Sequence, residues 1–161
     1  MRKTIATFVA VIVMAVPSVA MAAPPEVLFD GTEEFSGEVP AGVLCDFAIQ
    51  LDETVEVRVT AFYDNDGNPT TERVHIVGNS VWTTDYGTVK EHWALTDTVD
   101  LVAGTVTVTG NRWNGHSPGQ GSVINGSGRL TFDFATGELT LNGPSQDVEG
   151  DYTAFCDVLA P

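Results

Sequence analysis

Alternation of apolar and polar side chains, repeated in several short runs, is the feature that most limits what this chain can fold into. From residue 55 to 61, Val, Val, Val and Ala alternate with Glu, Arg and Thr. Successive side chains of a β-strand point to opposite faces of a sheet, so this pattern predicts a strand with one half-buried face. Similar runs at 72–84, 88–96 and 104–113 are separated by Gly, Asn and Asp. Short strands at this spacing, with no convincing helix between them, predict an all-β fold.

The expected architecture is an antiparallel barrel, or a sandwich, of about eight strands. Residues 43–161 form a single domain in this interpretation, and residues 23–42 form an extended N-terminal arm with an edge strand near 27–29. The tail differs from the rest because Tyr152, Phe155, Cys156 and Leu159 follow the spacing of one helical face. We therefore predict a short closing helix near 151–159, docked on the sheet because it is too short to persist alone.

The first 22 residues have the layout of a secretory signal peptide. Arg2 and Lys3 precede an uncharged, mostly apolar run at 5–16, and Ala20 and Ala22 fit the small-residue cleavage pattern. The apolar run is shorter than the roughly 20 residues that a membrane-spanning helix needs. We therefore expect cleavage after Ala22 and a secreted, extracellular protein that does not remain in the membrane.

The charge of the predicted mature chain limits its partners. Removing residues 1–22 leaves five basic residues against 22 acidic ones, a net charge of −17. Nucleic acids and anionic membranes are bound by basic patches, so we expect neither as a partner. A surface for cations or bases and simple solubility are both compatible with this acidity.

The two cysteines, Cys45 and Cys156, are predicted to form a disulfide. Export would place both thiols in an oxidising compartment, and an even cysteine count favours bridging there. Cys45 shares strand parity with Phe47 and Ile49, and Cys156 lies on the apolar face of the predicted helix. No C-x-x-C motif accompanies them, so a structural role is favoured over a redox role.

Four segments carry a resemblance to known proteins: LCDFAIQ, FYDNDGNPTTERVHIVG, VTVTGNRWNGHSPGQGSV and GRLTFDFATGEL, followed by a cysteine near the C-terminus. With these segments the chain resembles a group of small exported all-β proteins from actinobacteria. The resemblance implies secretion and an all-β fold but no chemistry. In architecture alone, the expected barrel is similar to lipocalin-like and allene-oxide-cyclase-like barrels, and fold does not imply function.

The candidate ligand site consists of Glu91, Trp93 and Arg112. Glu91 shares parity with Trp93, and Arg112 shares parity with Val106 and Val108, so an unbroken register would bring a carboxylate and a guanidinium into the apolar interior. A buried charge has to be paired, so the two could pair or flank a polar ligand. We favour the simpler alternative, in which a bulge at Gly110 turns Arg112 outward and Trp113 inward. The same parity predicts that Trp93 is more buried than His92, and Phe47 more than Asp46.

A calcium site at Asp64, Asp66 and Asn68 is a second, weaker candidate. The D-x-D-x-N spacing resembles the start of a helix-flanked calcium loop, but Pro69 stands where that loop needs Gly. The same residues are typical of a hairpin turn, which we favour.

The function predicted from these observations is a non-enzymatic module that binds a small molecule, since barrels of this size can enclose one. Neither a zinc-binding pattern nor a G-x-S-x-G nucleophile motif occurs, so we predict no cofactor, no metal and no catalytic residue. A small cyclase- or isomerase-type enzyme using Glu91 and Arg112 is one alternative. A structural or surface-interaction protein with a filled core is the other.

Overall fold

The computed structural model describes residues 23–161, and the predicted signal peptide at 1–22 lies outside the described residues. Almost all of the described chain is β-strand or turn. The strands are β1 Glu26–Val39, β2 Ile49–Tyr63, β3 Pro69–Thr83, β4 Thr88–Asp100, β5 Thr105–Ser117, β6 Gly121–Asp133 and β7 Leu139–Asn142. Two short helices follow, α1 Gln146–Glu149 and α2 Thr153–Asp157.

The seven strands form one antiparallel sheet in the order β1-β2-β3-β4-β5-β6-β7, so each strand pairs with its neighbours in sequence. This confirms the predicted all-β antiparallel fold, and α2 falls within the segment predicted as a closing helix. The sheet has seven strands where about eight were expected, and β1 does not pair with β7 among residues 23–161. The sheet is therefore open along both edges.

Strand β1 is much longer than the edge strand expected near 27–29. It runs from Glu26 to Val39 and pairs with β2 along its whole length, with one irregularity after Val27. Ser36 strengthens the pairing, because its hydroxyl donates a 2.6 Å hydrogen bond to Asp52 on β2. Glycines and acidic residues interrupt the alternation of β1, so the pairing with β2 explains the strand better than its own pattern does.

The cross-strand register gives the sheet two chemically different faces. The face that carries Leu51, Trp82 and Val89, three residues paired across β2, β3 and β4, is called the inner face here. The opposite, outer face carries mostly Thr, His, Arg and Asn. The predicted order of burial is confirmed: His92 is exposed and Trp93 half-buried on β4, and Asp46 is exposed and Phe47 half-buried in the segment before β2.

The buried core occupies one end of the inner face, where the C-terminal tail docks. Phe155 and Leu159 are fully buried there, together with Ile49, Val89 and Ile124 of the sheet. The predicted disulfide is confirmed, since Cys45 and Cys156 are bonded and their Cα atoms are 5.6 Å apart. A 2.7 Å hydrogen bond from the Thr84 hydroxyl to the carbonyl of Leu159 also holds the tail.

Candidate functional site

The inner face beyond this core carries a broad apolar surface that neither helix covers. Its side chains alternate along five strands and meet in cross-strand pairs such as Val57 with Ile76 and Ile76 with Leu95. They are half-buried, in contrast to the fully buried residues under α2. We call this surface the open half; in the central strands it consists of Val55, Val57, Val59, Val74, Ile76, Trp93, Leu95, Val99, Val106, Val108, Leu130 and Phe132.

The apolar surface extends to both edges of the sheet. On β1, Phe29 and Phe35 are on the inner face because they pair with Val59 and Glu53 of β2. On β7, Leu139 and Leu141 pair with Phe132 and Leu130 of β6. These four edge side chains are the most exposed of the surface, at 44%, 53%, 47% and 37% of their area respectively. Apolar side chains therefore extend from one edge of the sheet to the other, interrupted by the carboxylates of Glu33, Glu72 and Asp97.

A polar row separates the open half from the core under α2. Glu53, Ser80 and Glu91 lie side by side on β2, β3 and β4. The Ser80 hydroxyl donates a 2.8 Å hydrogen bond to Glu53, and the Trp93 indole N–H donates a 3.2 Å hydrogen bond to Ser80 Oγ. These bonds satisfy the buried hydroxyl of Ser80, which would otherwise be costly to bury.

Glu91 is buried, on the inward parity of its strand, and it accepts a hydrogen bond from Trp82 and not from Arg112, the partner of the less favoured interpretation. The Trp82 indole N–H donates to Glu91 Oε2 at 2.9 Å. Burial raises the pKa of Glu91 from an ordinary 4.5 to about 7, although the Trp82 and Asn114 N–H donors act in the opposite direction. Removal from water disfavours the charged form, and two neutral donors compensate only in part.

Trp93 reaches the boundary of the open half because its cross-strand neighbour is a glycine. Gly78 pairs with Trp93, and the indole ring occupies the space that a Cβ at position 78 would need. The ring is half-buried, so part of it faces the open half. Trp93 is the member of the predicted trio that borders the open half.

Arg112 is held in an ion pair rather than directed toward Glu91. A bulge between Asn111 and Trp113 interrupts β5 at this residue. Arg112 Nε and Nη2 donate to the two carboxylate oxygens of Asp147 on α1, at 2.9 and 3.1 Å, and both side chains are about nine-tenths buried. The Asp147 carboxylate lies directly over Gly126, where a Cβ would displace it.

The bulge between Asn111 and Trp113 lies close to Gly110, where it was predicted, and it turns Trp113 inward as predicted. Trp113 points inward and stacks on Trp82 with 5.9 Å between ring centroids. The predicted outward turn of Arg112 is wrong: its side chain is about nine-tenths buried, because Asp147 folds over it. The sequence gives no local sign of this pairing, since the two residues are 35 positions apart.

Asp97 is a polar group in the open half that was not among the predicted site residues. Its cross-strand neighbours are Val74 on β3 and Val108 on β5, both apolar. Its Oδ1 atom is buried without a hydrogen-bond partner, and burial raises the pKa of the carboxyl above its ordinary value. Asp97 shares strand parity with Trp93 and Leu95, and this parity could have predicted its inward position. A buried acceptor without a partner is where a donor group of a ligand would be stabilised.

The calcium candidate is a turn in which Asp64 is engaged by its own backbone. Asp64 Oδ1 accepts hydrogen bonds from the N–H groups of Asp66, at 2.9 Å, and Asn68, at 2.8 Å. These donors lower the pKa of Asp64. No cluster of three His, Cys, Asp or Glu side chains suited to a metal ion occurs within residues 23–161. The hairpin-turn interpretation therefore accounts for the positions of these side chains.

Comparison with protein families, with curated proteins and with solved structures found no match for this chain. Within the described residues, none of the helices has the length and apolarity needed to cross a membrane.

Proposed function

We propose that this chain is a secreted, non-enzymatic binding module that holds a small, mainly apolar molecule against the open half of its inner face. The observation that carries the proposal is the apolar surface from β1 to β7, which the two helices of the described chain leave uncovered. The predicted signal peptide and the Cys45–Cys156 bond support the proposed location, because disulfides persist in oxidising compartments.

The size of the open half supports a binding role. Seven strands spaced about 4.8 Å apart, with roughly six residues of each of the first six strands and the four of β7 at about 3.3 Å per residue, make this part of the sheet on the order of 600 Å² in area. Contiguous apolar patches of a few hundred Å² on a monomer often mark an interaction site. A ligand lying between β1 and β7 would complete the wall of the expected barrel, which the strands alone leave open.

The charges around the open half define the chemistry of the ligand. Asp97 offers a buried oxygen without a donor, and Glu53 and Glu91 lie along the border of the surface. An apolar molecule with an N–H or O–H group directed at Asp97 would satisfy that oxygen. A carboxylate or sulfonate ligand would meet like charge in an environment of low dielectric, which is unfavourable. The proposed ligand class is therefore neutral or cationic.

The test is a fluorescence titration of the purified protein with N-phenyl-1-naphthylamine, a neutral apolar probe with one N–H group. We expect saturable enhancement of probe fluorescence and a change in the emission of Trp93. Val108→Asp should abolish binding because it places a charge next to Asp97. Thr107→Asp is the matched control, with the same charge change at the neighbouring position on the outer face, and it should bind as the wild type does.

Competition with simple amphiphiles tests the ligand class. Dodecylamine should displace the probe at lower concentration than dodecanol, and laurate should not displace it. Native mass spectrometry of the purified protein would reveal a co-purified ligand directly. Equal loss of binding in Val108→Asp and Thr107→Asp, or no saturable binding at all, would overturn the proposal.

The alternative enzyme function has less support from the geometry. Glu91 is engaged by Trp82, and Arg112 by Asp147, so each charged group already has a partner within the protein. A substrate would have to displace one of these bonds before both groups could act on it.

A further inference from the structure

The basic residues of the described chain are concentrated on the outer face. Residues 23–161 contain five Arg and Lys residues, and four of them lie on this face: Arg58, Arg73, Lys90 and Arg129. The three histidines, His75, His92 and His116, lie there as well and are exposed. Arg112 is the fifth basic residue and is paired with Asp147 on the other side of the sheet. A strongly acidic protein thus collects its cations on one surface.

Two adjacent rows across the sheet combine these cations with threonine hydroxyls. In strand order from β2 to β7, the first row is Arg58, His75, Thr96, Thr109, Arg129 and Asn142. The second row is Thr60, Arg73, Thr98, Thr107, Thr131 and Thr140. Five strand spacings of about 4.8 Å make each row about 24 Å long. We call the two rows together the threonine–arginine band.

Neither row of the band contains a carboxylate between β2 and β7. The nearest acidic contact is Asp30 on the edge strand β1, 3.8 Å from Arg58, with both side chains more than half exposed. Such a pair is weak in water and leaves the guanidinium available. In the rows that flank the band, Asp100 and Asp133 accept hydrogen bonds from the backbone of their own turns, and Glu56 is an exposed carboxylate two residues from Arg58.

The surface of the band is uncovered within residues 23–161. Both helices lie on the inner side, where Phe155 contacts Trp82 and Trp113, and Asp147 covers Gly126. The band presents guanidinium forks, which match carboxylate oxygens in pairs, and hydroxyls that both donate and accept hydrogen bonds. A ligand that matches both sets carries carboxylates and many hydroxyls along an extended chain.

We propose that the threonine–arginine band binds an acidic polysaccharide, with carboxylates at the arginines and sugar hydroxyls at the threonines. Charge complementarity supports this occupant, because the band holds three arginines and no carboxylate between β2 and β7, on a chain with an excess of acidic residues. A nucleic acid fits less well, since single-stranded binding relies on aromatic platforms and the two rows contain no Phe, Tyr or Trp residue. The binding surface is on the opposite face from the proposed small-molecule site, so the two proposals can fail separately.

The test is isothermal titration calorimetry of the full protein with polygalacturonate at low ionic strength. The wild type should bind, and added salt should weaken the binding, because counterions compete for the arginines. Arg73→Gln combined with Arg129→Gln should reduce the affinity roughly tenfold or more. Lys90→Gln is the control on the same face outside the band, and it should change the affinity by less than about twofold.

A second variant separates hydrogen bonding from charge. Thr107→Val combined with Thr131→Val keeps the net charge and suits a β-strand, and it should weaken polygalacturonate binding by roughly threefold to tenfold. Duplex DNA should bind more weakly than polygalacturonate at the same salt concentration. Stronger binding of DNA would overturn the proposal in favour of a polyphosphate partner. Absence of polygalacturonate binding, or an equal loss in the Lys90→Gln variant, would also overturn it.

Discussion

At the scale of single residues, two buried charged groups, Glu91 and Arg112, are stabilised by partners from other elements of the fold. Glu91 depends on the indole N–H of Trp82, and Arg112 depends on the carboxylate of Asp147. Trp82 belongs to β3 and Asp147 to α1, so each charge is buried and paired only when these elements are assembled. Charges held in this way respond differently to pH and to substitution than exposed charges do.

The first prediction concerns the stability of the protein between pH 5 and pH 8. The pKa of Glu91 is raised to about 7 in the folded protein, above its ordinary 4.5. Its contribution to stability is therefore present below pH 4.5 and is lost as the pH rises through 7. Glu91→Gln cannot ionise, so the stability of the variant relative to wild type should increase from pH 5 to pH 8 by on the order of 2–3 kcal/mol.

Urea denaturation of both proteins at pH 5, 6, 7 and 8 measures this difference. Glu56→Gln is the control, since Glu56 is exposed on the outer face. A difference between wild type and Glu91→Gln that stays constant with pH would show that the Glu91 carboxyl is not shifted as described.

The second prediction concerns the ion pair between α1 and the β5 bulge. Asp147→Asn keeps the shape of the side chain but leaves the buried Arg112 guanidinium without a counter-charge. We expect a loss of about 3 kcal/mol in the free energy of unfolding. Asp157→Asn removes the same charge from an exposed position on α2 and should have little effect. Equal denaturation midpoints for the two variants would contradict the prediction.

At the scale of secondary-structure elements, α2 is the clearest case of an element stabilised from outside itself. A five-residue helix is too short to persist alone in water. The helix is held on the sheet by three contacts. Phe155 and Leu159 are buried, Cys156 is bonded to Cys45, and the Thr84 hydroxyl donates a hydrogen bond to the carbonyl of Leu159. Strand β1 is similar in depending on its pairing with β2.

The third prediction is that the disulfide makes a large contribution to the stability of the fold. It spans 111 residues of sequence, and the chain-entropy description assigns about 4–5 kcal/mol to a loop of that length as an upper figure. Replacing Cys45 and Cys156 together by Ser should lower the melting temperature by roughly 10 °C. Calorimetry measures the change, and an unchanged melting temperature would contradict the prediction.

The sequence was informative wherever a local pattern determined the structure. Alternation identified the central strands and the inward side of Trp93, and helical spacing identified the tail. It was uninformative where pairing between distant segments decided the outcome. The length of β1, the contact of Asp147 with Arg112 and the alignment of threonines across β4 to β7 all depend on cross-strand register, which no single strand encodes.

At the scale of the whole molecule, the single sheet separates two kinds of chemistry. The inner face is apolar with a few buried carboxylates, and the outer face is rich in threonine and basic residues. Because adjacent side chains of a strand point to opposite faces, Thr107 and Val108 belong to different surfaces although they are neighbours in sequence. One strand can therefore contribute to two independent binding surfaces, and mutations at alternate positions can address them separately.

The simple neighbour-to-neighbour strand order has a consequence for how the chain folds. Each hairpin requires only a short loop to close, so the sheet can grow strand by strand without waiting for distant segments to meet. The tail is the exception, since Phe155 and Cys156 must return to Ile49 and Cys45 from the far end of the chain. Docking of α2 and oxidation of the cysteines should therefore be the last steps of folding. The disulfide then forms after the sheet is complete, and it slows unfolding more than it speeds folding.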